Sequence, residues 1–230
     1  LRPGVGKLFG EMLFPPAFPG WPGGGAAGGG GGWIVSTADG NITRWTPEAQ
    51  ESEGLPSGYD RVMGVALGAG GAVIFAELPT GRVLCLEGGN VSELATGLDR
   101  PTGVAIAPDG GILVSEAGAG RVTRIAGGRT ETVIDGLGQP EGIAIHGGRL
   151  FIADTGAREV VSCDLAGGGR EVILAHAPIG APEGMVRQQL GGVGDMCGPM
   201  WTFTGIAAGA DGTIYLSADA EGSVLALARD

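Results

Sequence analysis

Carboxylates recur along this chain at the end of the same kind of apolar run, as Glu77, Glu116 and Asp154, with Asp219 one position displaced in a last copy. A row of acids at matching positions could ring a cation. A carboxylate beside a tight turn also accepts backbone N–H bonds, which orders the hairpin that follows without any ligand. These four acids are therefore read as structural. A further carboxylate, Glu141, stands directly before a glycine that opens an apolar run, where other copies carry Met63, Thr102 and Thr204. Catalysis by a Ser–His–acid arrangement would need a histidine, and only His146 and His176 exist. His146 falls in a turn where other copies have Pro108 or Gly70, and His176 leads into a long irregular stretch. Two histidines are too few for a multi-histidine zinc centre. Cys85, Cys163 and Cys197 show no C-x-x-C spacing and are odd in number, which points to neither a disulfide framework nor a zinc knuckle. Gly4-Val5-Gly6-Lys7 is not a phosphate loop, because the glycine spacing is wrong and no Ser or Thr follows the lysine.

All these positions belong to a repeat. Gly64, Gly103, Gly142 and Gly205 each open an apolar run, and a degenerate first copy lies near Gly24, giving a period of about 39 residues. One unit reads Val104-Ala105-Ile106, the turn Pro108-Asp109-Gly110, then Ile112-Leu113-Val114-Ser115, then Arg121 to Ile125, and a more polar run Thr130 to Ile134. Four short strands joined by Gly and Asp-Gly turns at this period describe a β-propeller blade, which hides its faces only against its neighbours. No unit holds apolar spacing long enough for a helix. The expected fold is therefore all-β, a single β-propeller domain over residues 1–230 with about five four-stranded blades. The last copy stops after its third strand, so residues Val5 to Met12 are expected to supply the missing outer strand and close the ring. Residues 15–32, rich in Pro and Gly, read as an irregular connection replacing the first inner strand. The gap between Gly142 and Gly205 exceeds the period, which places an inserted loop at 177–203 carrying Arg187 and Trp201.

Composition excludes some partners. Glycine is abundant, at 49 of 230 residues, but it is spaced periodically between aliphatic runs and so marks turns, not disorder. A formal net charge of −11 opposes binding to nucleic acid, and the arginines form no basic stripe. No apolar stretch is long enough to span a bilayer. Leu1 is not an initiator methionine and no leader pattern is legible, so the compartment stays open.

The segments RPTGVAIAPDGGILVSEAGAGRVTRI at 100–125, QPEGIAIHGGRLFIADTGAREV at 139–160 and GPMWTFTGIAAGADGTIYLSADAEGSVLAL at 198–227 resemble two related propeller groups. These are the senescence-marker/gluconolactonase-like family and the NHL-repeat proteins. The first resemblance implies a ring, typically of six blades, with one divalent metal, most often Ca²⁺, at the central channel. The metal would activate water against a lactone or small polar ester. Pro182-Glu183-Gly184-Met185 resembles that family's Pro-Asp-Gly-Met ligand motif, and Glu183 follows Glu141 by close to one blade. The resemblance thus implies Glu141 and Glu183 as metal ligands and acid/base groups, with Met63, Thr102, Thr204, Arg187 and Trp201 lining the channel. No asparagine precedes a landmark glycine, so the rest of that family's ligand set is absent. The NHL resemblance implies something else, a non-catalytic scaffold binding a protein or peptide across one face.

Overall fold

The computed structural model describes residues 22–27, 32–37, 40–46, 48, 51–180 and 204–228. Among these residues nineteen strands fall into five antiparallel sheets in chain order. The first blade is β1 (Pro22–Ala27), β2 (Trp33–Thr37), β3 (Ile42–Thr46) and β4 (Glu51–Gly54). The second is β5 (Val62–Leu67), β6 (Val73–Glu77), β7 (Arg82–Glu87) and β8 (Asn90–Ala95). The third is β9 (Pro101–Ile106), β10 (Ile112–Glu116), β11 (Arg121–Ala126) and β12 (Arg129–Ile134). The fourth is β13 (Pro140–His146), β14 (Arg149–Asp154), β15 (Glu159–Asp164) and β16 (Glu171–Leu174). The fifth has three described strands, β17 (Ile206–Ala208), β18 (Ile214–Ala218) and β19 (Ser223–Leu227). Successive inner strands face one another, β1 to β5 to β9 to β13 to β17, which is the propeller arrangement expected from the repeat.

Local chemistry explains the hairpins. Paired glycines at positive φ, such as Gly88-Gly89 (56° and 81°) and Gly127-Gly128 (56° and 74°), close two-residue turns whose twist matches that of the strands they join. The apolar core lies between blades, not within them. Ile34, Val62, Phe75 and Leu84 pack the first seam, Ile74, Val83, Val104 and Val114 the second. Leu113, Ile143, Ile152 and Val161 pack the third, and Ala153, Val160, Ile179 and Leu216 the fourth. Each fully buried aliphatic side chain contributes roughly 1.5–3 kcal/mol, so no blade is expected to hold its shape alone.

Two sequence expectations change. Residues 22–27, read as part of an irregular connection, form the inner strand β1 paired with β2. Their small size is what the position needs, because a Cβ on Gly24 would lie 2.3 Å from the Met63 carbonyl oxygen of the second blade. Residues 177–180, read as the start of the insertion, belong to the blades: Ala177 and Ile179 are fully buried against Ala153, Val160 and Leu216. The expected closing strand at Val5 to Met12 and the rest of the insertion, 181–203, lie outside the described residues.

Candidate functional site

The inner strands begin on one face of the propeller, and the hairpin between each second and third strand lies on that same face. The recurring acids sit there. Glu77 accepts the Asp60 N–H at 2.8 Å and both Nε and an η nitrogen of Arg82 at 2.9 and 2.6 Å, with the Thr80 hydroxyl also donating. Glu116 repeats the pattern with the Asp99 N–H at 2.9 Å, Arg121 at 2.7 and 3.0 Å, and the Thr123 hydroxyl. Asp154 accepts three backbone N–H groups, from Gly138, Gln139 and Ala157. Burial opposes ionisation of Glu77 and Glu116, but their hydrogen bonds to Thr, Arg and backbone N–H outweigh it and hold both carboxyls below the usual range. The structural reading of these acids therefore stands, with one change. Their main backbone partners lie in the loop that leads into the inner strand of the same blade, and only Ala157 lies in the hairpin that follows.

Asp219 departs from the pattern. Its Oδ1 accepts the Gly180 N–H at 3.0 Å and the Thr204 hydroxyl at 2.8 Å. Its Oδ2 is buried without a hydrogen-bond partner. The arginine that pairs with the end of the second strand in the second and third blades, Arg82 or Arg121, is replaced here by Ser223, which pairs with Ala218.

Nearer the axis, Glu141 is 3 % exposed and bridges the fourth and fifth blades. Its Oε1 accepts Gln139 Nε2 at 2.9 Å and the Thr155 hydroxyl at 3.1 Å, while Oε2 accepts the Thr204 N–H at 2.7 Å. Thr204 thus links the two carboxylates, giving its N–H to Glu141 and its hydroxyl to Asp219. A second row of small residues does the same work at other seams. Ser36 Oγ donates to the Met63 carbonyl at 2.9 Å, and Ser115 Oγ donates to the Glu141 carbonyl at 2.5 Å while accepting the Gly103 N–H at 2.7 Å. The Thr102 hydroxyl reaches the Pro140 carbonyl of the next blade at 3.2 Å. The landmark glycines sit against carbonyls of the next inner strand: a Cβ on Gly64, Gly103 or Gly142 would come within 2.3, 2.3 or 2.4 Å of the oxygen of Thr102, Glu141 or Thr204.

These contacts decide what the proposed site residues can do. Met63, Thr102 and Thr204 are buried in the seams between blades and do not form an open channel wall. Glu141 is joined to Thr204 directly and to Thr102 through Ser115, whose Oγ lies 3.1 Å from the Thr102 hydroxyl and donates to the Glu141 carbonyl. Glu183, Arg187 and Trp201 lie outside the described residues. His146 sits on the opposite face, where a Cβ on Gly212 would lie 3.1 Å from its Nε2, and His176 is exposed at a positive φ of 54°. The implied divalent ion needs several oxygen donors. Both Glu141 oxygens already take N–H or O–H donors, and the described residues contain no group of three metal-ligating side chains. The described residues therefore do not fit a metal centre. Sequence reasoning missed the Ser36, Ser115 and Ser217 row, although the aligned runs Val35-Ser36, Val114-Ser115 and Leu216-Ser217 carried the signal.

The fold is that of a β-propeller, and solved propellers resemble it over most of the chain. A putative gluconolactonase aligns with 98% of this chain and 84% of its own at 20% identity and a TM-score of 0.67. A chain of the nidogen–laminin complex aligns with 90% of this chain and 75% of its own at 16% identity and a TM-score of 0.72. Virginiamycin B lyase from Staphylococcus aureus aligns with 90% of this chain and 69% of its own at 15% identity and a TM-score of 0.64. At these identities the likeness is one of fold. No protein-family model and no curated protein matches the chain. Among the described residues no helix is long and apolar enough to cross a membrane.

Proposed function

We propose that the protein is a non-catalytic propeller that binds a protein or peptide partner across the face on which its inner strands begin. The observation that carries this reading is the saturation of Glu141. Its carboxylate receives Thr204, Gln139 and Thr155, and holding an ion or moving a proton would mean surrendering bonds that join two blades. The net charge of −11 favours a basic segment in the partner. The nidogen–laminin complex supports a binding role for this architecture. The lyase and gluconolactonase likenesses support chemistry on the same fold, so the choice rests on the donor set and not on the fold.

A Ca²⁺-dependent hydrolase using Glu141 and Glu183 on a lactone or ester predicts a different thermal response. A ligand bound only by the folded state stabilises it by about 2.7 kcal/mol at a hundredfold excess over Kd. Thermal unfolding with Ca²⁺ and with EDTA is expected to give the same midpoint. Glu141→Gln is expected to lower it equally in both, since an amide NH₂ would face existing donors. A Ca²⁺-dependent rise that Glu141→Gln abolishes would overturn the binding-platform reading. On a peptide array, basic sequences are expected to retain the protein more than acidic ones, and to lose it as salt is raised; no retention on any peptide would count against it.

A further inference from the structure

The chain contains two asparagines, Asn41 and Asn90, and each begins an Asn-X-Ser/Thr triplet, Asn41-Ile42-Thr43 and Asn90-Val91-Ser92. Serine and threonine make up 21 of the 230 residues, so both asparagines would meet this spacing by chance in about one such chain in a hundred. Asparagine is common in β-hairpins because it tolerates positive φ. Neither residue is used that way here. Gly40 holds φ 83° before Asn41, as Gly81 and Gly120 hold 65° and 63° before Arg82 and Arg121. Gly88 and Gly89 take both positive φ values of the turn before Asn90, and the matching turn of the third blade, Gly127-Gly128, is followed by Arg129.

The two triplets differ in their surroundings. Asn41 leads into β3, where Ile42 is 1% exposed in the first apolar seam and Thr43 is half-buried. Gly40 beside it is buried against the Tyr59 carbonyl. In contrast, Asn90, Val91 and Ser92 are all exposed at the start of β8, the outermost strand of the second blade. Asn90 and Ser92, two residues apart on a strand, share one of its faces. The turn they follow joins a third strand to a fourth, so it lies on the side of the propeller opposite the starts of the inner strands.

From the triplet and its exposure we infer that Asn90 is a site of N-linked glycosylation. The donor is an oligosaccharide carried on a lipid diphosphate. The Asn90 amide nitrogen bonds to the anomeric carbon of the first sugar as that carbon's bond to the diphosphate oxygen breaks. The lipid diphosphate leaves with the electron pair, and the displaced amide proton passes to a base of the transferase. Ser92 supplies the hydroxyl that completes the acceptor triplet.

The modification places the chain on the export route of a cell that makes such glycans. It also sets a bulky, hydrated group over the edge of β8, whose outward N–H and C=O groups and 43% exposed Val91 otherwise offer a template for strand pairing. The glycan stands away from the face proposed for the partner, and its presence does not depend on one.

Full-length protein purified from the cells that make it, treated with a peptide N-glycan amidase in heavy-oxygen water, is expected to lose mass and to carry a labelled aspartate at position 90. Expressed in the same cells, Ser92→Ala is expected to lose both the mass shift and the label, and Ser92→Thr to keep them, a rescue that a folding defect would not give. An unlabelled Asn90 in the native protein, labelling at Asn41 in its place, or a label at Asn90 that survives Ser92→Ala would each overturn the assignment.

Discussion

Replacing Gly103 with alanine tests the view that close contact between inner strands, not propensity, fixes the landmark glycines. The new Cβ would lie 2.3 Å from the Glu141 carbonyl oxygen, 2.8 Å from Ser115 Oγ and 3.1 Å from the Ile143 nitrogen. The first contact is short of a normal separation by more than 1 Å, and the atom in the way is backbone. Relief requires β9 and β13 to part, loosening the Ser115 bridge and the apolar seam behind it. Overpacking of this kind costs typically 1–3 kcal/mol and sometimes more. The upper end applies here, because neither strand can retreat without uncovering another seam. For a chain of this size about 3 kcal/mol lowers the midpoint by roughly 6–12 °C. Gly205→Ala is the internal control, since its nearest atom, Ser217 Oγ, lies at 3.7 Å, an ordinary contact. There the loss of chain entropy in the unfolded state gives an unchanged or slightly higher stability, by about 0.5 kcal/mol. Urea and thermal unfolding of both variants measure the contrast. Equal losses, or a Gly103→Ala variant as stable as the parent, would refute the reasoning.

Other outcomes follow from the same contacts. Ser115→Ala strips a buried bridge from the Gly103 N–H and the Glu141 carbonyl and is expected to cost about 1–3 kcal/mol. Ser217→Ala, whose hydroxyl bonds Gly205 alone among the described residues, is expected to cost less, and urea midpoints compare the two. Glu116, held ionised below the ordinary value of 4.5, contributes stability that is complete above that pH and is lost as pH falls through its lower folded-state value. Glu116→Gln is therefore expected to be less stable at neutral pH and to show a flatter loss of urea midpoint between pH 4.5 and 3. An acid limb as steep as the parent's would contradict this.

The blades were legible because their strands announce themselves, with β-branched runs between glycine turns at a constant period. β1 was not, since Pro22-Gly23-Gly24-Gly25-Ala26-Ala27 has no strand former in it, and only the approach of Met63 from another blade makes that composition fitting. Ala177 and Ile179 read as loop in the sequence because Pro178 and Gly180 interrupt the run, although the spacing of Ala177 from Leu174 matches that of Leu98 from Ala95 and both donate to the carbonyl before the third strand. For Glu141 the position was legible but the partner was not. Thr204 lies 63 residues away in sequence, and nothing local to Glu141 indicates that a backbone N–H consumes its second oxygen.

The glycine-to-carbonyl contact is made from the same parts at each of the first four seams, so any blade meets its successor through an interchangeable joint. A unit duplicated or dropped would meet its new neighbour through backbone geometry already in use at the other seams, leaving the apolar side chains, which differ from seam to seam, as the part to be refitted.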